Sequence, residues 1–454
     1  MSRTKSIQQQ YSVRTGKVIN MEKYFFIGIK GTGMAALACM LKDLGYDVEG
    51  SDQDKHYFTE EGLHARGIKI HDFDPANIKD NMNVVIGNAF LEDFPEVIAA
   101  RNNPTCVCAR YHEFVGKFLE PYALVSAAGS HGKTTTTTML SEMLQEAGPT
   151  GWLIGDGTGH IAPDTKYFAL ESDEFRRHFL AYHPDYAIVT NVDIDHVDYF
   201  KDKADYRSAY EQFSRNVRKA MVIYGEDEEA RKMDIAVPHY WYGLEDNDDI
   251  QAVNVDERLD GMSFDVLFKG ELFGHFDLPF IGHHLLLNGL ATIGVGILEG
   301  MTPEQIERGL SRFRGAKRRF VVEKDGDNIY IDDYAHHPTE VGVTIAAARK
   351  RFPDRKLVVI FKPHRASRVK FFADDFAKQL DAADKVYLCD FTSIDDKQDG
   401  TDINIDYLQE RIPRAVILPE DEEGAKLLAQ EKPAVFLFMS SKDIYWLADM
   451  LKKA

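Results

Sequence analysis

Residues 122–138 read YALVSAAGSHGKTTTTT, an apolar run followed by a glycine-containing turn and a row of threonines. The apolar run predicts a buried strand, and the threonines after the turn predict the start of a helix. A strand that enters a helix through such a turn points backbone N–H groups at phosphate oxygens. Lys133 would then lie beside the outer phosphates, and the Thr134 hydroxyl would bind Mg²⁺. The segment therefore predicts a domain that binds a nucleoside triphosphate.

The turn is a variant of the usual phosphate-binding loop, because Ala127 stands where the generic loop has its first glycine. The alternative is a glycine turn that carries a solvated lysine. The strand before the turn and the threonines after it favour the phosphate loop. The residues predicted to contact ATP here are Gly129, Ser130, His131, Gly132, Lys133, Thr134 and Thr135.

Strand and helix patterns recur along the chain in three sets, which predicts three α/β domains in series. The length of 454 residues also exceeds the roughly 250–300 residues that a single core serves. Strands are predicted at 24–29, 46–50 and 84–88, then at 122–127, 167–170 and 186–192, then at 321–331, 356–361 and 434–439. We place the domains at 21–121, 122–315 and 316–454, and we interpret 1–20 as a disordered extension or a tag.

Charge and cysteine content limit the kinds of partner. The formal net charge of −19 disfavours binding to nucleic acid and to anionic membrane surfaces, and no apolar stretch approaches the roughly 20 residues of a membrane-spanning helix. The four cysteines fit neither a zinc site nor a disulfide framework, and we interpret them as buried thiols. We interpret the acidic stretches at 226–229 and 245–249 as solvated surface. These features predict a cytoplasmic protein whose partners are small molecules.

A second glycine loop, at 31–36, fits a dinucleotide-binding fingerprint in which alanine replaces the last glycine. Asp52 follows at about the 20-residue distance expected of an acid that binds a ribose. On this local evidence the first domain could bind NAD, so a nicotinamide-dependent oxidoreductase is one possible function. A tight turn that binds no ligand is another interpretation of the same loop.

The phosphate loop and five further blocks resemble the Mur ligase family, whose loop reads Gly-Thr-x-Gly-Lys-Thr and here carries Ser130 in place of the threonine. The blocks are GIKGTGM at 28–34, NVDIDH at 191–196, KRRF at 317–320, IDDYAHHPTE at 331–340 and PHRASR at 363–368. The resemblance covers nearly everything after Met21. It implies a Rossmann-like first domain, a central P-loop ATPase-like domain and a Rossmann-like third domain.

The resemblance also changes the expected ligand of the first domain. It implies that this domain holds the diphosphate and uridine of UDP-N-acetylmuramate instead of NAD. The residues implied in that role are Gly31, Thr32, Gly33, Met34, Ser51, Asp52 and Asn88.

The resemblance implies that one carboxylate and one histidine of the second domain are metal ligands. Glu171 and His196 end or follow predicted strands there, and with Thr134 they would hold Mg²⁺ or Mn²⁺. Asp173 and Glu174 lie close enough in sequence to be alternatives to Glu171. A surface histidine in an acidic turn is the alternative for His196.

A helix in the second domain is implied to contact the adenine of ATP. His284 and Asn288 resemble the family's adenine-side residues, although Leu285 stands where many relatives carry asparagine. Because His284 and Asn288 lie one helical turn apart, they could instead satisfy a packed helix end.

Lys317, Arg318 and Arg319 form a basic cluster between the second and third domains, which favours a local anion site over a solvated linker. The resemblance implies that Arg319 and Asp333 contact ATP. It also implies that residues of two βα turns surround the amino acid and the transferred phosphate, namely Tyr334, His336, His364, Arg365 and Arg368. The spacing of Arg365 and Arg368 predicts one helical face suited to a carboxylate or phosphate. Lys442 receives no role.

The resemblance, closest to alanine-adding members, implies an ATP-dependent ligase that joins L-alanine to UDP-N-acetylmuramate through an acyl phosphate, in peptidoglycan precursor synthesis. It would act as a monomer or weak dimer, with catalytic residues Lys133, Glu171, His196, Arg319, His336 and Arg365. A recycling ligase that adds a whole peptide to the same nucleotide sugar is the nearest alternative. The nicotinamide oxidoreductase and a nucleotide-binding regulator without catalysis are alternatives from other classes.

Overall fold

The structure is a computed structural model that describes residues 23–258, 261–391, 400–442 and 444–453. The predicted extension at 1–20 lies outside the described residues. The chain divides into two compact units, the first ending at Tyr111 and the second beginning at His112. Within the described residues, no helix is long and apolar enough to cross a membrane.

The first unit contains a five-stranded parallel sheet in the order β3-β2-β1-β4-β5. Its strands are β1 (Lys23–Ile27), β2 (Asp47–Ser51), β3 (Lys69–His71), β4 (Met82–Ile86) and β5 (Val107–Arg110), and its helices are α1 (Thr32–Asp43), α2 (Glu60–Ala65) and α3 (Pro95–Asn102). Since β1 pairs with both β2 and β4, the strand order reverses around β1. Ligands of open α/β sheets bind outside the carboxyl ends of strands at such a point, and the glycine loop follows β1 there.

The second unit begins with a ten-stranded sheet in the order β15-β14-β13-β12-β11-β10-β6-β9-β7-β8. Its strands are β6 (Ala123–Ala128), β7 (Thr150–Leu153), β8 (Gly159–His160), β9 (Tyr167–Glu171), β10 (Tyr186–Val189), β11 (Ala220–Tyr224), β12 (His239–Gly243), β13 (Ile250–Glu257), β14 (Met262–Phe268) and β15 (Glu271–Leu278). Its helices are α4 (Tyr111–Leu119), α5 (Lys133–Leu144), α6 (Lys203–Ser214), α7 (His283–Leu298) and α8 (Pro303–Leu310). Strand β6 lies between β9 and β10 at the centre of the sheet, and the phosphate loop follows it.

A six-stranded sheet completes the second unit, in the order β16-β17-β21-β18-β19-β20. Its strands are β16 (Val321–Asp325), β17 (Asn328–Asp333), β18 (Leu357–Phe361), β19 (Lys385–Leu388), β20 (Val416–Ile417) and β21 (Val435–Met439). Its helices are α9 (Pro338–Arg351), α10 (Ala366–Leu380), α11 (Asp406–Gln409), α12 (Glu422–Ala429) and α13 (Trp446–Lys453). The three α/β sets in series confirm the predicted fold class, while the boundaries at 121/122 and 315/316 stay predictions.

Several predictions about local structure were wrong. Residues 321–331 do not form one strand, because Gly326 (φ +56°) turns the chain so that β16 and β17 pair as an antiparallel hairpin. Cys106 and Cys108 are only half-buried, whereas Cys39 and Cys389 are buried as predicted. The apolar strands of the three sheets otherwise pack as expected from their patterns.

The acidic stretches were predicted to be solvated surface, and for two of their residues this was wrong. Asp227 accepts the backbone N–H of Val192 at 2.7 Å, and Asp248 is buried against Arg231 at 2.9 Å. Burial without hydrogen bonds would be costly for these carboxylates. They therefore hold together the loops at the carboxyl ends of β10, β11 and β12.

Candidate active site

The phosphate loop joins β6 to α5, and its backbone conformation requires glycine at two positions. Gly129 has φ +131°, and a side chain on it would meet the Thr190 hydroxyl, whose Oγ1 would lie 2.1 Å from the added Cβ. Gly132 has φ +83° and precedes the first residue of α5. The N–H groups in the first turn of a helix have no intrahelical partner. The loop therefore presents the N-terminus of α5 as an anion site.

Two loop residues predicted to contact ATP are held by the protein itself. The N–H of Ser130 donates to the carbonyl of Asn191 at 3.3 Å, and the Ser130 hydroxyl lies 2.7 Å from that of Tyr206. The N–H of His131 donates to the Asn191 side chain at 3.0 Å. The donors left for phosphate come from the first turn of α5, which begins at Lys133.

Lys133 is buried among carboxylates. Its ammonium donates to Glu174 at 3.0 Å and to the Gly129 carbonyl at 2.6 Å. Burial opposes its charge, but the carboxylates, Glu174 foremost, raise the pKa of Lys133 above its usual value. Burial raises the pKa of Glu174 to about 7. The lysine is thus charged at neutral pH and held at the end of the phosphate loop.

Thr134 and Glu171 form an oxygen pair at the same helix terminus. The Thr134 hydroxyl donates to Glu171 at 3.1 Å, and the other carboxylate oxygen accepts the Gly155 N–H at 2.6 Å. Oxygens bound at 2.0–2.1 Å to one Mg²⁺ lie about 3 Å apart at neighbouring positions. Burial raises the pKa of Glu171, and a bound cation would oppose that shift. Both the ligand type and the spacing therefore fit a magnesium ion.

His196 lies in a second group beside the first. Its Nε2 is 3.8 Å from Glu174, and Asp173, Glu174 and His196 each offer an atom within 4.8 Å of the others. Burial lowers the pKa of His196 well below its usual value, so the ring is neutral, the form that binds metals. Among the described residues, its buried Nδ1 has no hydrogen-bond partner. The structure therefore places His196 with Asp173 and Glu174, the residues considered as alternatives to Glu171.

The two predicted adenine-side residues lie in the first turns of α7. Asn288 is buried, and its side-chain oxygen would lie 2.8 Å from a Cβ atom added to Gly132. His284 is exposed one turn earlier. Asn288 therefore packs against the phosphate loop, while the adenine contact of His284 stays a prediction.

The third-domain residues predicted to contact ATP lie at the carboxyl end of β17. Asp333 is buried and accepts the N–H groups of Phe320 and Ala335, each at 2.8 Å. Burial raises the pKa of Asp333 to about 6. The Arg319 guanidinium lies 4.9 Å from the ring centroid of Tyr334 and 3.4 Å from Glu340. Asp333 thus fixes the segment that carries Arg319, and its direct contact with ATP stays a prediction.

In the basic cluster before β16, Arg318 has a structural role. Arg318 donates to Asp332 at 3.1 Å and to the carbonyls of Ser440 and Lys442, each at 2.9 Å. These contacts hold it in place, which was not foreseen. The backbone around Lys442 therefore serves to anchor Arg318, and the contact of Arg319 with ATP stays a prediction.

His336 is held by its own turn. Its Nδ1 lies 3.0 Å from the Tyr334 carbonyl and 3.2 Å from Glu340, and its backbone N–H donates to Glu340 at 3.0 Å. A hydrogen bond from Nδ1 to a carbonyl requires the proton to be on Nδ1. The neutral ring then offers Nε2 as its proton acceptor.

The two predicted amino-acid arginines are paired with carboxylates of the preceding domain. Arg368 makes a bidentate ion pair with Asp195, at 2.9 and 3.0 Å, and both side chains are buried. Arg365 pairs with Asp198 and lies 4.4 Å over the Phe175 ring. Arg365 has φ +68° and caps α10 instead of lying within it. The prediction of one shared helical face was therefore wrong, and His364 is the half-buried residue just before this cap.

In the first unit, the predicted nucleotide-sugar residues are placed around the carboxyl ends of β1, β2 and β4. Gly31 precedes α1, whose first residues are Thr32, Gly33 and Met34. The Ser51 hydroxyl donates to buried Glu96 at 2.5 Å, and Asp52 accepts the Lys30 N–H at 2.8 Å. Asn88 is half-buried after β4. Ser51 and Asp52 therefore have structural partners, and their contacts with a ligand stay predictions.

Sequence reasoning gave no role to Glu340, Asp195 or Asn191, all of which hold the site together. Glu340 had a usable signal, because an acid three residues after an N-cap is a capping box, and His337 is that cap. Asp195 and Asn191 had none, since their partners are distant in sequence.

The comparisons with known proteins agree with this arrangement. Residues 127–296 match the Mur ligase middle domain, residues 23–123 match the Mur ligase family catalytic domain, and residues 318–441 match the Mur ligase glutamate ligase domain. The chain is 45% identical over 421 residues to the UDP-N-acetylmuramate–L-alanine ligase of Lactiplantibacillus plantarum. The alignment covers 93% of this chain and 96% of that protein.

Two solved structures are similar over nearly their whole length. The UDP-N-acetylmuramate–alanine ligase of Thermotoga maritima has a TM-score of 0.78 at 27% identity, covering 95% of this chain and 98% of that one. The murein peptide ligase of Psychrobacter arcticus has a TM-score of 0.73 at 25% identity, with the same coverage.

Proposed function

The chain belongs to the Mur ligase family, and we propose that it joins L-alanine to the lactyl carboxylate of UDP-N-acetylmuramate while ATP is cleaved to ADP and phosphate. The observation that carries the proposal is the contact between the phosphate loop and the third domain, where His131 lies 3.4 Å from Glu340. A ligase needs its ATP beside the groups that bind the amino acid. A dinucleotide oxidoreductase has no use for this contact. The product is a precursor of peptidoglycan.

The first step activates the carboxylate, because a free carboxylate is a poor acyl donor. A carboxylate oxygen attacks the γ-phosphorus of ATP, the bond to the β-phosphate oxygen breaks, and ADP leaves. The N–H groups at the start of α5 and the Lys133 ammonium hold the phosphates in line. The protein contributes positioning and positive charge at this step.

Thr134 and Glu171 are the residues we propose to hold Mg²⁺ or Mn²⁺, and His196 with Glu174 would hold a second ion. Such an ion supplies positive charge to the phosphate oxygens when it is bound. Thr134 and Glu171 are already paired at 3.1 Å, so little rearrangement is required. Glu174 would exchange part of its contact with Lys133 for this role.

The second step forms the amide. The neutral amine of L-alanine attacks the acyl carbon, inorganic phosphate leaves, and the nitrogen loses a proton. We propose His336 as the acceptor of that proton, since its Nδ1 is occupied by the Tyr334 carbonyl at 3.0 Å and its Nε2 is the basic atom. Arg365 is proposed to receive the carboxylate of L-alanine, because the planar guanidinium of an arginine matches the geometry of a carboxylate.

The test is phosphate release from ATP and Mg²⁺ with UDP-N-acetylmuramate. Three reactions are compared, with L-alanine, with an L-alanyl-D-glutamyl tripeptide, and with neither. Release that depends on L-alanine is expected. Release only with the tripeptide would move the activity to the recycling ligase, and no release in any reaction would overturn the ligase. Hydride transfer to a nicotinamide cofactor is assayed in parallel for the oxidoreductase.

Other features remain predictions that rest on this function. We propose that the first unit binds the uridine diphosphate part of the sugar nucleotide. We also propose that the enzyme acts in the cytoplasm as a monomer or weak dimer, without nucleic acid or membrane partners. Sedimentation of the purified chain with and without substrates tests its oligomeric state.

A further inference from the structure

Glu340 is a charged residue at the start of α9 that the reaction outlined above does not use. It is the third residue of the helix, and its carboxylate accepts the N–H groups of His336 at 3.0 Å and His337 at 3.3 Å. In return, the His337 side chain accepts the Thr339 N–H at 3.4 Å. These contacts form a capping box, which by itself would be a purely structural role.

The same carboxylate also reaches across to the preceding domain. Its Oε1 lies 3.4 Å from Nδ1 of His131, in the phosphate loop. The other ring nitrogen of His131 lies 3.4 Å from Asp193. Burial opposes the charge of His131, but Asp193 and Glu340 raise its pKa to about 9. His131 is therefore a half-buried cation between one carboxylate of its own domain and one of the third domain.

The main chain of His131 has little freedom. Its N–H donates to Asn191 at 3.0 Å, and its carbonyl accepts the Thr190 hydroxyl at 2.5 Å. A second bridge stands alongside, because the Thr339 hydroxyl donates to Asp193 at 2.9 Å. Any force on the His131 ring is thus transmitted to the loop that holds the ATP phosphates.

We propose that Glu340 is a positioning residue that fastens the phosphate loop to the third domain through His131, so that ATP is aligned for reaction only when that domain is docked. The proposal deepens the function proposed above and rests on it. Glu340 also lies 3.4 Å from Arg319 and 3.2 Å from His336. One carboxylate therefore contacts the phosphate loop through His131, the arginine predicted to contact ATP, and the histidine proposed as proton acceptor.

The groups that face this pair come from several elements. His131 is faced by Asp193, Glu340 and His337. Glu340 is faced by His131, His336, Arg319, Asp333 and Tyr334. Removing the Glu340 charge is therefore expected to release His131 while Asp193 still holds it from the other side.

The test variant is Glu340→Gln, because glutamine still serves in a capping box but carries no charge. We expect kcat for L-alanine-dependent phosphate release to fall by about 100-fold, while KM for ATP and the thermal midpoint stay close to those of the wild type. Glu323→Gln is the matched control, since Glu323 pairs with Lys452 at 2.7 Å within the third domain. It removes the same charge from the same domain and should leave kcat unchanged.

The double variant His131→Gln/Glu340→Gln separates coupling from general damage. If the two residues act as a pair, the double variant should be no slower than the slower single variant. An unchanged kcat in Glu340→Gln would overturn the proposal. A fall in kcat that is accompanied by a large loss of thermal stability would overturn it as well. Glu340 would then have only the structural role of capping α9.

A readout independent of activity uses ¹³C-labelled histidine, with the His131 signal assigned by its loss in His131→Gln. The pKa of His131 should fall by about one unit in Glu340→Gln and stay unchanged in Glu323→Gln. An unchanged pKa in both variants would show that Glu340 does not hold His131. If the wild-type enzyme released no phosphate, the proposed ligase function would be wrong. The pKa of His131 would then still test whether Glu340 holds His131.

Discussion

The chain contains two loops of similar outline, each running from a strand through glycines into a helix, and they differ in how their lysines are used. In the loop between β1 and α1, the Lys30 ammonium donates to the carbonyls of Gln53 and Lys55, at 3.0 and 2.9 Å, and pairs with Glu60 at 3.1 Å. Asp52 accepts the Lys30 N–H. The charged and polar groups of Lys30 are therefore satisfied within its own unit.

In the loop between β6 and α5, the charged groups meet buried carboxylates that a ligand could recruit. Lys133 lies at 3.0 Å from Glu174, whose pKa burial raises to about 7. Thr134 is paired with Glu171, and the adjacent His196 has a buried nitrogen that forms no hydrogen bond with any of the described residues. The comparison teaches that glycines give a loop its shape, whereas the titratable residues behind it determine its chemistry.

The largest expected effect comes from exchanging the two lysines for methionine. Lys133→Met should lower kcat by about 100- to 1,000-fold, because it removes a cation from the transferring phosphate. Lys30→Met should leave kcat unchanged at saturating substrates and lower stability by about 1–3 kcal/mol, because Glu60 loses its buried partner. Phosphate-release kinetics measure kcat, and chemical denaturation measures the free energy of unfolding. If Lys30→Met were as slow as Lys133→Met, the contrast between the two loops would be wrong.

A smaller effect is expected from two carboxylates that stand behind the loops. Glu171→Gln should raise the Mg²⁺ concentration for half-maximal activity between about tenfold and 100-fold, since one proposed ligand loses its charge. Asp52→Asn should leave that concentration unchanged, because its oxygen can still accept the Lys30 N–H. A magnesium titration of each variant measures this. An identical Mg²⁺ requirement in Glu171→Gln and wild type would remove Glu171 from the metal site.

The fold could be predicted where apolar runs and glycines act locally. Residues 122–138 form β6, the phosphate loop and α5 as expected, because the strand is buried on both sides and its pattern is continuous. The β13–β15 extension was not predicted. Outer positions such as Asp256 and Leu272 are exposed, but Met262, Phe264 and Val266 alternate with half-buried residues along β14, and this alternation was a usable strand signal. Hairpins such as β16–β17 depend on a single glycine.

The residues of the candidate site were proposed one by one from the sequence, but the contacts between them were not. Lys133 and Thr134 were proposed from the phosphate-loop pattern, whereas Glu171 was implied by the family resemblance. Arg368 was predicted to bind the amino acid, yet it forms a buried pair with Asp195, 173 residues away. No local pattern records a contact between domains. The carboxylates that hold the site together were therefore the residues that sequence reasoning missed.

The smallest expected effect concerns His337, whose ring lies 4.6 Å from that of His131 in the phosphate loop. Burial, reinforced by the charge of His131, lowers the pKa of His337 to about 4. The unfolded histidine titrates near 6.5, so between these values the unfolded chain binds more protons, and stability falls as the pH falls. His337→Asn keeps an N-cap acceptor and removes this titration. Between pH 8 and pH 6, the wild type should therefore lose about 1 kcal/mol more stability than the variant in urea denaturation. Equal losses would mean that His337 is not kept neutral beside the phosphate loop.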